Sequence, residues 1–267
     1  MPRIKVLVSR LLLAFGYSIN AKSKKRLLAD LLKSPEGMNL SIARTRAIYK
    51  ASKSQLGQDF LALIAGGVSS PGYFVEFGAA DGVALSNSYL LENLFGWTGV
   101  LCEPSRSWHQ DLKKNRRCTV DTRCVYSKSG QQISFTENYI GELSGITEFT
   151  GSDHHGIINK TTDSYQVETI SLLDLLSHHK APKHVDFLSV DTEGSEFEIL
   201  NAFDFSKYSF GAICVEHNFT PNRSKVKTLL LANGYRQVYP ELSDFDDWFV
   251  LETNPNFPKL GLGSSLN

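Results

Sequence analysis

The feature that most constrains the fold of this 267-residue chain is a repeated change from short apolar runs to amphipathic stretches. The apolar runs are typical of buried strands: YFVEF, GVLCEP, VDFLSVD, GAICVEH and WFVLE. Helical patterns lie between several of them: SNSYLLENLF, SRSWHQDLKKN, SEFEILNAF and RSKVKTLLLANGY. A capping box at Ser195 and Glu198 and a helix end at Asn233-Gly234 agree with helices there. The alternation predicts an α/β fold, a mostly parallel sheet with helices on both faces.

The end and the middle of the chain depart from this alternation. YRQVYPELSDFDDWFVLE holds two strand-like pieces whose connection is too short for a crossover helix, so we expect a C-terminal antiparallel hairpin. Between Cys118 and Thr169, a strand, a turn at Ser129-Gly130 and a second strand are predicted first. A long loop is predicted over 137–168, and such loops in compact domains are often lids or binding loops.

The composition narrows the class of protein. Lys plus Arg and Asp plus Glu both number 28, and this zero net charge gives no argument for a nucleic-acid partner. The four cysteines form no CxxC pair, so a zinc site is not expected. We expect four free thiols and a reducing compartment, the cytoplasm.

Three parts of the chain are predicted: a helical, basic N-terminal extension (1–53), one α/β domain (54–255) and a C-terminal tail (256–267). The first 26 residues are basic and apolar, but Arg10 interrupts an apolar run that is shorter than the about 20 residues a membrane span needs. Residues 1–26 are therefore either a plain helical extension or a segment in peripheral contact with a membrane. The sequence does not indicate an oligomeric state.

Carboxylates mark four predicted strand ends: Glu76, Glu103, Asp191 and Glu216. In open α/β sheets, ligands bind beyond the carboxyl ends of the strands. The sequence therefore predicts a site at this edge of the sheet.

The turn after the first strand does not suit a dinucleotide. A G-x-G-x-x-G fingerprint lets the backbone approach a pyrophosphate, and Gly78 fits its first position. Ala80 and Val83 occupy the second and third glycine positions, and Asp81 places negative charge towards any phosphate. A nicotinamide-dependent oxidoreductase is therefore the weaker enzyme alternative.

Acids at this turn suit a cationic ligand instead. S-adenosylmethionine carries a sulfonium and an ammonium, which Glu76 and the turn 78–82 can hold. Glu103, at the end of the next strand, can accept both ribose hydroxyls. The alternative is an ordinary strand-turn-helix in which Asp81 is a solvated turn residue.

Four stretches resemble the FkbM-type S-adenosylmethionine-dependent methyltransferases: SQLGQDFLALIAGG, FVEFGAADGVALSNSYLLENLFGWTGVLCEPS, VDFLSVDTEGSEFEIL and VEHN…LLLANGYRQVY…DDWFV. The resemblance runs from Ser54 to Leu251, with alanine at Ala80 where asparagine is commoner. It implies a class I methyltransferase fold, with a Rossmann-like, seven-stranded sheet. It also implies O-methylation of a hydroxyl, on a sugar or glycan, a lipid-linked saccharide or a natural product. A methyltransferase-like interaction module without catalysis is the alternative from another class.

Site residues are assigned on this basis. Substrate contacts are expected from Gln58, Ser144 and Asn218, and the three tryptophans (Trp97, Trp108, Trp248) are expected in the core or at an interface. Cofactor contacts are expected from Glu76, Gly78, Ala79, Asp81, Gly82, Asn87, Glu103, Pro104, Cys124 and Asp191.

An alcohol that attacks a sulfonium methyl must lose its proton, so the reaction calls for a base. His217 follows the strand GAICVEH, and histidine can serve as a base at neutral pH. Asp191 or Glu193 can orient its ring or act as the base instead. The alternative for His217 is a partly buried loop residue bonded to backbone.

The same strand ends can hold a metal. Asp191 and Glu216, with the adjacent His217 and Asn218, offer oxygen and nitrogen ligands for Mg²⁺, which would lower the pKa of the hydroxyl. Glutamate and histidine differ from the aspartate-asparagine pair usual at such sites, so no metal is the first expectation.

Overall fold

The computed structural model describes residues 21–34, 36–138, 141–149 and 161–256. The strands described are β1 (Tyr73–Phe77), β2 (Thr98–Cys102), β3 (Thr119–Asp121), β4 (Cys124–Tyr126), β5 (Gln132–Asn138), β6 (Gly145–Ile146), β7 (Thr161–Ser171), β8 (His184–Val190), β9 (Ser209–Glu216), β10 (Tyr235–Val238) and β11 (Asp246–Leu251). The helices described are α1 (residues 21–33), α2 (Ile42–Ala51), α3 (Gln58–Gly66), α4 (Tyr89–Phe95), α5 (His109–Asn115), α6 (Leu172–His178), α7 (Glu196–Asn201) and α8 (Asn222–Ala232).

The main sheet has seven strands in the order β10-β11-β9-β8-β1-β2-β3. Neighbouring strands are parallel from β9 to β3, whereas β11 is antiparallel to both β9 and β10. The predicted sheet and its C-terminal hairpin are thereby confirmed. Because the chain moves outward from β1 in both directions, a crevice opens at the carboxyl ends of β1 and β8.

Helices cover both faces of the sheet, as predicted. One apolar cluster joins α1 to α5 with Phe74 of β1, and the other joins α6, α7 and α8 with Val75 of the same strand. Neighbouring residues of a strand point to opposite faces, so β1 contributes to both cores. Each amphipathic helix thus packs its apolar side against the face of the sheet on which it lies.

The N-terminal helices pack on the sheet domain. Leu27 and Leu31 of α1 and Ile48 of α2 are fully buried. The Ser23 hydroxyl donates to the backbone carbonyl of Leu242, 2.9 Å away. Residues 21–53 therefore share the core of the domain, while residues 1–20 and 257–267 lie outside the described residues.

The strand, turn and second strand predicted after Cys118 are present as β4, the turn at Ser129-Gly130 and β5, but a second sheet corrects the expectation of a long loop over 137–168. Its order is β4-β7-β5-β6, so the strands on either side of the turn at Ser129-Gly130 do not pair with each other. Strand β7 lies between them and occupies part of the predicted loop 137–168. Its sequence, TTDSYQVETIS, is mostly polar, and its alternation of inward Tyr165, Val167 and Thr169 with exposed polar residues is short and only weakly apolar. Residues 139–140 and 150–160 of that loop lie outside the described residues.

Helix ends are partly as predicted. Gly234 follows α8 with a φ of +83°. Ser195 is the N-cap of α7, but its hydroxyl donates to the Thr192 hydroxyl rather than capping the helix. Glu196 provides the acceptor instead, for the backbone N–H groups of Thr192 and Gly194. The capping box at Ser195 and Glu198 is therefore wrong.

All four cysteines are free thiols, as expected. Within the described ranges, no helix combines the length and apolar character needed to cross a membrane.

Candidate active site

A cavity of about 870 Å³, open to solvent on one side, lies at the carboxyl edge of the sheet. Its lining comes from the ends of β1, β2 and β8, from the chain after β1, and from the second sheet. The polar or aromatic lining residues are Gln55, Glu76, Phe77, Ser86, Asn87, Glu103, Trp108, Phe135, Ser144, Asp191, Thr192, Glu193 and Ser195. The predicted edge of the sheet is therefore where the cavity lies.

Glycine is required at Gly78 because the turn after β1 passes directly against the end of β8. Residue 78 has a φ of +69°, and a Cβ there would lie 2.2 Å from the carbonyl oxygen of Asp191. At Gly82, φ is +78° and a Cβ would lie 2.6 Å from Arg116 Cγ. Ala80 adopts a φ of +45°, which costs an L-residue about 1–2 kcal/mol. Asparagine tolerates this conformation better, a physical reason for its being commoner at this position.

Asp81 shapes the turn. Its Oδ1 accepts from the backbone N–H groups of Val83 (2.8 Å) and Ala84 (2.7 Å), the geometry of an Asx turn. Asp81 is not among the residues that line the cavity. The structure thus agrees with the alternative expectation of a turn residue and does not bring this carboxylate to the cavity.

Glu76 anchors the chain that follows this turn. It is 3% exposed, and its carboxylate accepts from the backbone N–H of Asn87 at 2.7 Å and from the hydroxyls of Ser86 (3.0 Å) and Ser88. Since Ser86 and Asn87 line the cavity, Glu76 fixes one of its walls.

Arg116 completes this anchor, and the sequence analysis missed it. Its guanidinium is fully buried and donates to the carbonyl of Gly82 (3.0 Å), to the hydroxyls of Ser86 (3.1 Å) and Ser88 (2.8 Å), and to Glu92. One planar group thereby ties the turn after β1 to the helix that follows it. A lone arginine after a surface helix gives no pattern from which this role could be predicted.

Glu103 lies across the turn from Glu76. Its two oxygens accept from the backbone N–H groups of Ala80 and Ser105, each at 2.8 Å. Burial raises the pKa of Glu103 to about 7, and these hydrogen bonds oppose the shift. The residue is held in place by backbone and lines the cavity, as its predicted role requires.

Three carboxylates meet where β8 and β9 end. Asp191, Glu193 and Glu216 each offer an oxygen, and these atoms lie within 4.8 Å of one another. Burial raises the pKa of Asp191 to about 7, and burial together with Asp191 raises the pKa of Glu216 well above its usual range. Such a cluster can share a proton or hold a hard cation that prefers oxygen ligands. Asp191 and Glu193 also line the main cavity.

His217 does not reach the main cavity. It lines a smaller cavity of about 230 Å³ with Glu193, Glu216 and Asn218. Its Nδ1 accepts from the backbone N–H of Phe219 at 3.0 Å, and burial lowers its pKa. The geometry matches the backbone-bonded alternative and gives the base role no support.

The remaining predicted residues divide between the cavity and its surroundings. Gln58 is buried, donates to Asp246 Oδ2 at 2.7 Å and does not line the cavity. Trp97 and Trp248 are buried as expected, whereas Trp108 is a cavity residue. The predicted residues that line the cavity are Glu76, Gly78, Asn87, Glu103, Pro104, Cys124, Ser144, Asp191 and Glu193. Those that do not are Gln58, Ala79, Asp81, Gly82, His217 and Asn218.

The second sheet supplies the part of the site that the sequence did not indicate. Phe135, Ile146 and Gly141 face the cavity, and a Cβ at Gly141 would lie 2.5 Å from the Trp108 ring. Phe135 lies in the second strand predicted after the turn at Ser129-Gly130, but nothing in the sequence indicates that this strand reaches the sheet edge where the acids lie.

The strand order, the reversed β11 and a cavity bounded by acids at three strand ends define a class I methyltransferase. The chain belongs to the FkbM methyltransferase family, since the family model described as "Methyltransferase FkbM domain" matches residues 76–252. No curated protein is similar enough in sequence to be matched to this chain.

Two solved structures illustrate the fold similarity. Methyltransferase FkbM from Methylobacillus flagellatus KT is 13% identical with a TM-score of 0.42, over 88% of this chain and 60% of that one. Precorrin-6y C5,15-methyltransferase from Geobacter metallireducens GS-15 is 12% identical with a TM-score of 0.41, over 80% of this chain and 94% of that one. Similarity at this level says nothing about the methyl acceptor.

Proposed function

We propose that this methyltransferase uses S-adenosylmethionine to methylate a hydroxyl of a sugar or glycan, a lipid-linked saccharide or a natural product. The observation that carries the proposal is the charge of the cavity. Among the described lining residues there are four acids, Glu76, Glu103, Asp191 and Glu193, and no lysine, arginine or histidine. This lining suits a sulfonium and an ammonium and opposes the phosphates of a nicotinamide dinucleotide.

The cofactor would lie across the turn after β1. The ribose hydroxyls would donate to Glu103, whose oxygens also accept from Ala80 and Ser105. The amino-acid end would face Gly78 and Asp191, where the turn meets the end of β8. The apolar surface of Cys124 and neighbouring lining residues of the second sheet would cover the adenine.

The acceptor would enter beside Asp191 and Glu193. Bound S-adenosylmethionine would supply the methyl group: the acceptor oxygen would form a bond to the methyl carbon as the carbon–sulfur bond breaks, and the electron pair of that bond would stay on the sulfur of the S-adenosylhomocysteine product. The hydroxyl proton would pass to the Asp191 carboxylate, which lines the cavity and whose pKa burial raises to about 7. Holding oxygen, carbon and sulfur in line supplies much of the rate.

Mg²⁺ is a second way to activate the hydroxyl. Asp191, Glu193 and Glu216 would hold the ion, whose charge would lower the pKa of a coordinated hydroxyl. Activity that withstands exhaustive treatment with EDTA would exclude this route.

Calorimetric titration with S-adenosylmethionine and with NAD(P) tests the cofactor. We expect micromolar binding of the former and none of the latter, and the reverse result would overturn the proposal. Incubation of cell glycans, lipids and small metabolites with methyl-labelled cofactor then tests turnover. Binding without transfer to any acceptor would favour the non-catalytic interaction module.

A further inference from the structure

Exposed apolar side chains are concentrated in the N-terminal part of the described chain. Four large hydrophobic side chains are exposed among the described residues, and three of these lie between residues 38 and 49: Met38 (67%), Ile42 (75%) and Tyr49 (36%). Ile48, on the same helix, is fully buried, so α2 already has an inner face. Ile42 and Tyr49 therefore lie on a second, outward side of α2, and Met38 is exposed in the short helical turn at 37–39 that precedes this helix.

Basic side chains share this outward surface. Arg46 and Lys50 follow Ile42 by four and eight residues, Tyr49 follows it by seven, and all are exposed. At about 100° per residue, these four positions fall on one side of the helix, opposite Ile48. We call Met38, Ile42, Arg46, Tyr49 and Lys50 the α2 face.

The charge of the surrounding chain is strongly positive. Residues 1–53 contain twelve lysines and arginines and two acidic residues, in a chain whose net charge is zero. Lys22 and Lys25 of α1 are exposed as well. Positive charge with exposed aliphatic groups is the combination that binds the interface of an anionic bilayer.

We propose that the α2 face binds the surface of a membrane that contains anionic lipids. Met38, Ile42 and Tyr49 enter the headgroup region, while Arg46 and Lys50 pair with lipid phosphates. Met38 and Ile42 have no ring to stack on bases, so a face with one aromatic side chain, Tyr49, favours a lipid surface over a nucleic acid, whose binding would call for several stacked rings. A face with so few apolar side chains gives reversible binding that weakens as salt rises. This inference is independent of the methyl acceptor.

Co-sedimentation of the full chain with vesicles tests the proposal. We expect at least tenfold more binding to phosphatidylcholine mixed with phosphatidylglycerol than to phosphatidylcholine alone. The variant R46E/K50E should lose at least tenfold in affinity for the mixed vesicles, and Ile42→Ser should also weaken binding. K225E/K227E, which makes the same charge change at exposed positions of α8, is the matched control and should bind like the unaltered chain. The altered side chains are all exposed, and thermal unfolding checks that the variants remain folded.

Three results would overturn the proposal. The first is equal binding, or none, to the two kinds of vesicle. The second is a loss in K5E/R10E without one in R46E/K50E, which would place the contact in residues 1–20. The third is tighter binding of a single-stranded RNA that depends on the same two residues.

Discussion

The carbonyl oxygen of Asp191 packs so closely against Gly78 that a Cβ on this glycine would lie only 2.2 Å from it. The end of β8 is therefore in direct contact with the turn after β1. We expect Gly78→Ala to cost about 2–4 kcal/mol of unfolding free energy, from the positive φ and from displacement of β8. Binding of S-adenosylmethionine should be lost with it. Urea unfolding and calorimetry measure the two effects.

Gly130→Ala is the matched control for this substitution. Gly130 also has a positive φ (+74°), but a Cβ there would meet no atom within 4 Å. Gly130→Ala should lower the unfolding free energy by about 1–2 kcal/mol and leave cofactor affinity unchanged. Equal effects of the two substitutions would show that the close contact between the end of β8 and Gly78 contributes nothing to stability or cofactor binding.

Ala80→Asn should stabilise the protein. Ala80 has a φ of +45°, and asparagine enters this region at lower cost, so we expect a gain of about 0.5–1 kcal/mol in unfolding free energy. Ala84→Asn, at a neighbouring position outside the left-handed region, should give no gain. A loss of stability in Ala80→Asn would mean that the larger side chain clashes with the cavity wall.

Arg116→Lys should raise the KM for S-adenosylmethionine at least tenfold while changing kcat less. Lysine keeps the charge but loses the planar group that donates to Gly82, Ser86 and Ser88 together, so the cavity wall loosens. Arg117→Lys, on an exposed neighbour, is the control. A fall in kcat alone, with KM unchanged, would contradict a role in positioning the cofactor.

Cofactor affinity should rise with pH through the pKa of Glu103. The folded-state pKa is raised from 4.5 to about 7, so the carboxylate that accepts the ribose hydroxyls is scarce at pH 6 and abundant at pH 8. We expect the Kd for S-adenosylmethionine to fall about tenfold between these pH values. Glu103→Gln should bind more weakly, with a flatter profile.

The raised pKa of Glu103 should also make folding stability depend on pH. A raised carboxyl pKa means that the folded state binds its proton more tightly than the unfolded state, so stability falls as pH rises from about 4.5 to 7. Glu103→Gln should remove about 1–3 kcal/mol of that decline in urea unfolding. An unchanged decline in the variant would show that Glu103 titrates normally.

Asp191→Asn should lower kcat by about 10²–10⁴-fold, because it removes the proposed proton acceptor. Burial already opposes ionisation of Asp191, so folding stability should be unchanged or raised. His217→Gln should leave kcat within about threefold. The opposite ranking of the two variants, on an acceptor found by labelling, would restore His217 as the base.

The fold was predictable because the apolar periodicities of the main sheet and its helices are strong. Acids at strand ends likewise located the cavity, since Glu76, Glu103 and Asp191 all line it. Sequence periodicity does not predict which way an individual side chain points after a turn. Asp81 folds back onto its own backbone, and His217 turns its Nδ1 to Phe219 N.

The second sheet and Arg116 were missed for different reasons. Strand β7 is mostly polar and lies between strands from distant parts of the chain, so pairing rather than local preference creates it. Arg116 acts through contacts with residues 24 to 34 positions earlier. The periodicity of a sequence does not predict side-chain contacts between residues so far apart.

The hydrogen bond from Ser23 to Leu242 joins positions 219 residues apart. During synthesis, α1 leaves the ribosome long before β10 and β11 exist, so for most of translation the apolar cluster around Leu27 and Leu31 lacks the part that Val238, Tyr239 and Leu242 supply. Closing this contact comes late and is entropically costly, which slows folding. A chain truncated before Leu242 would leave this part of the cluster uncovered permanently.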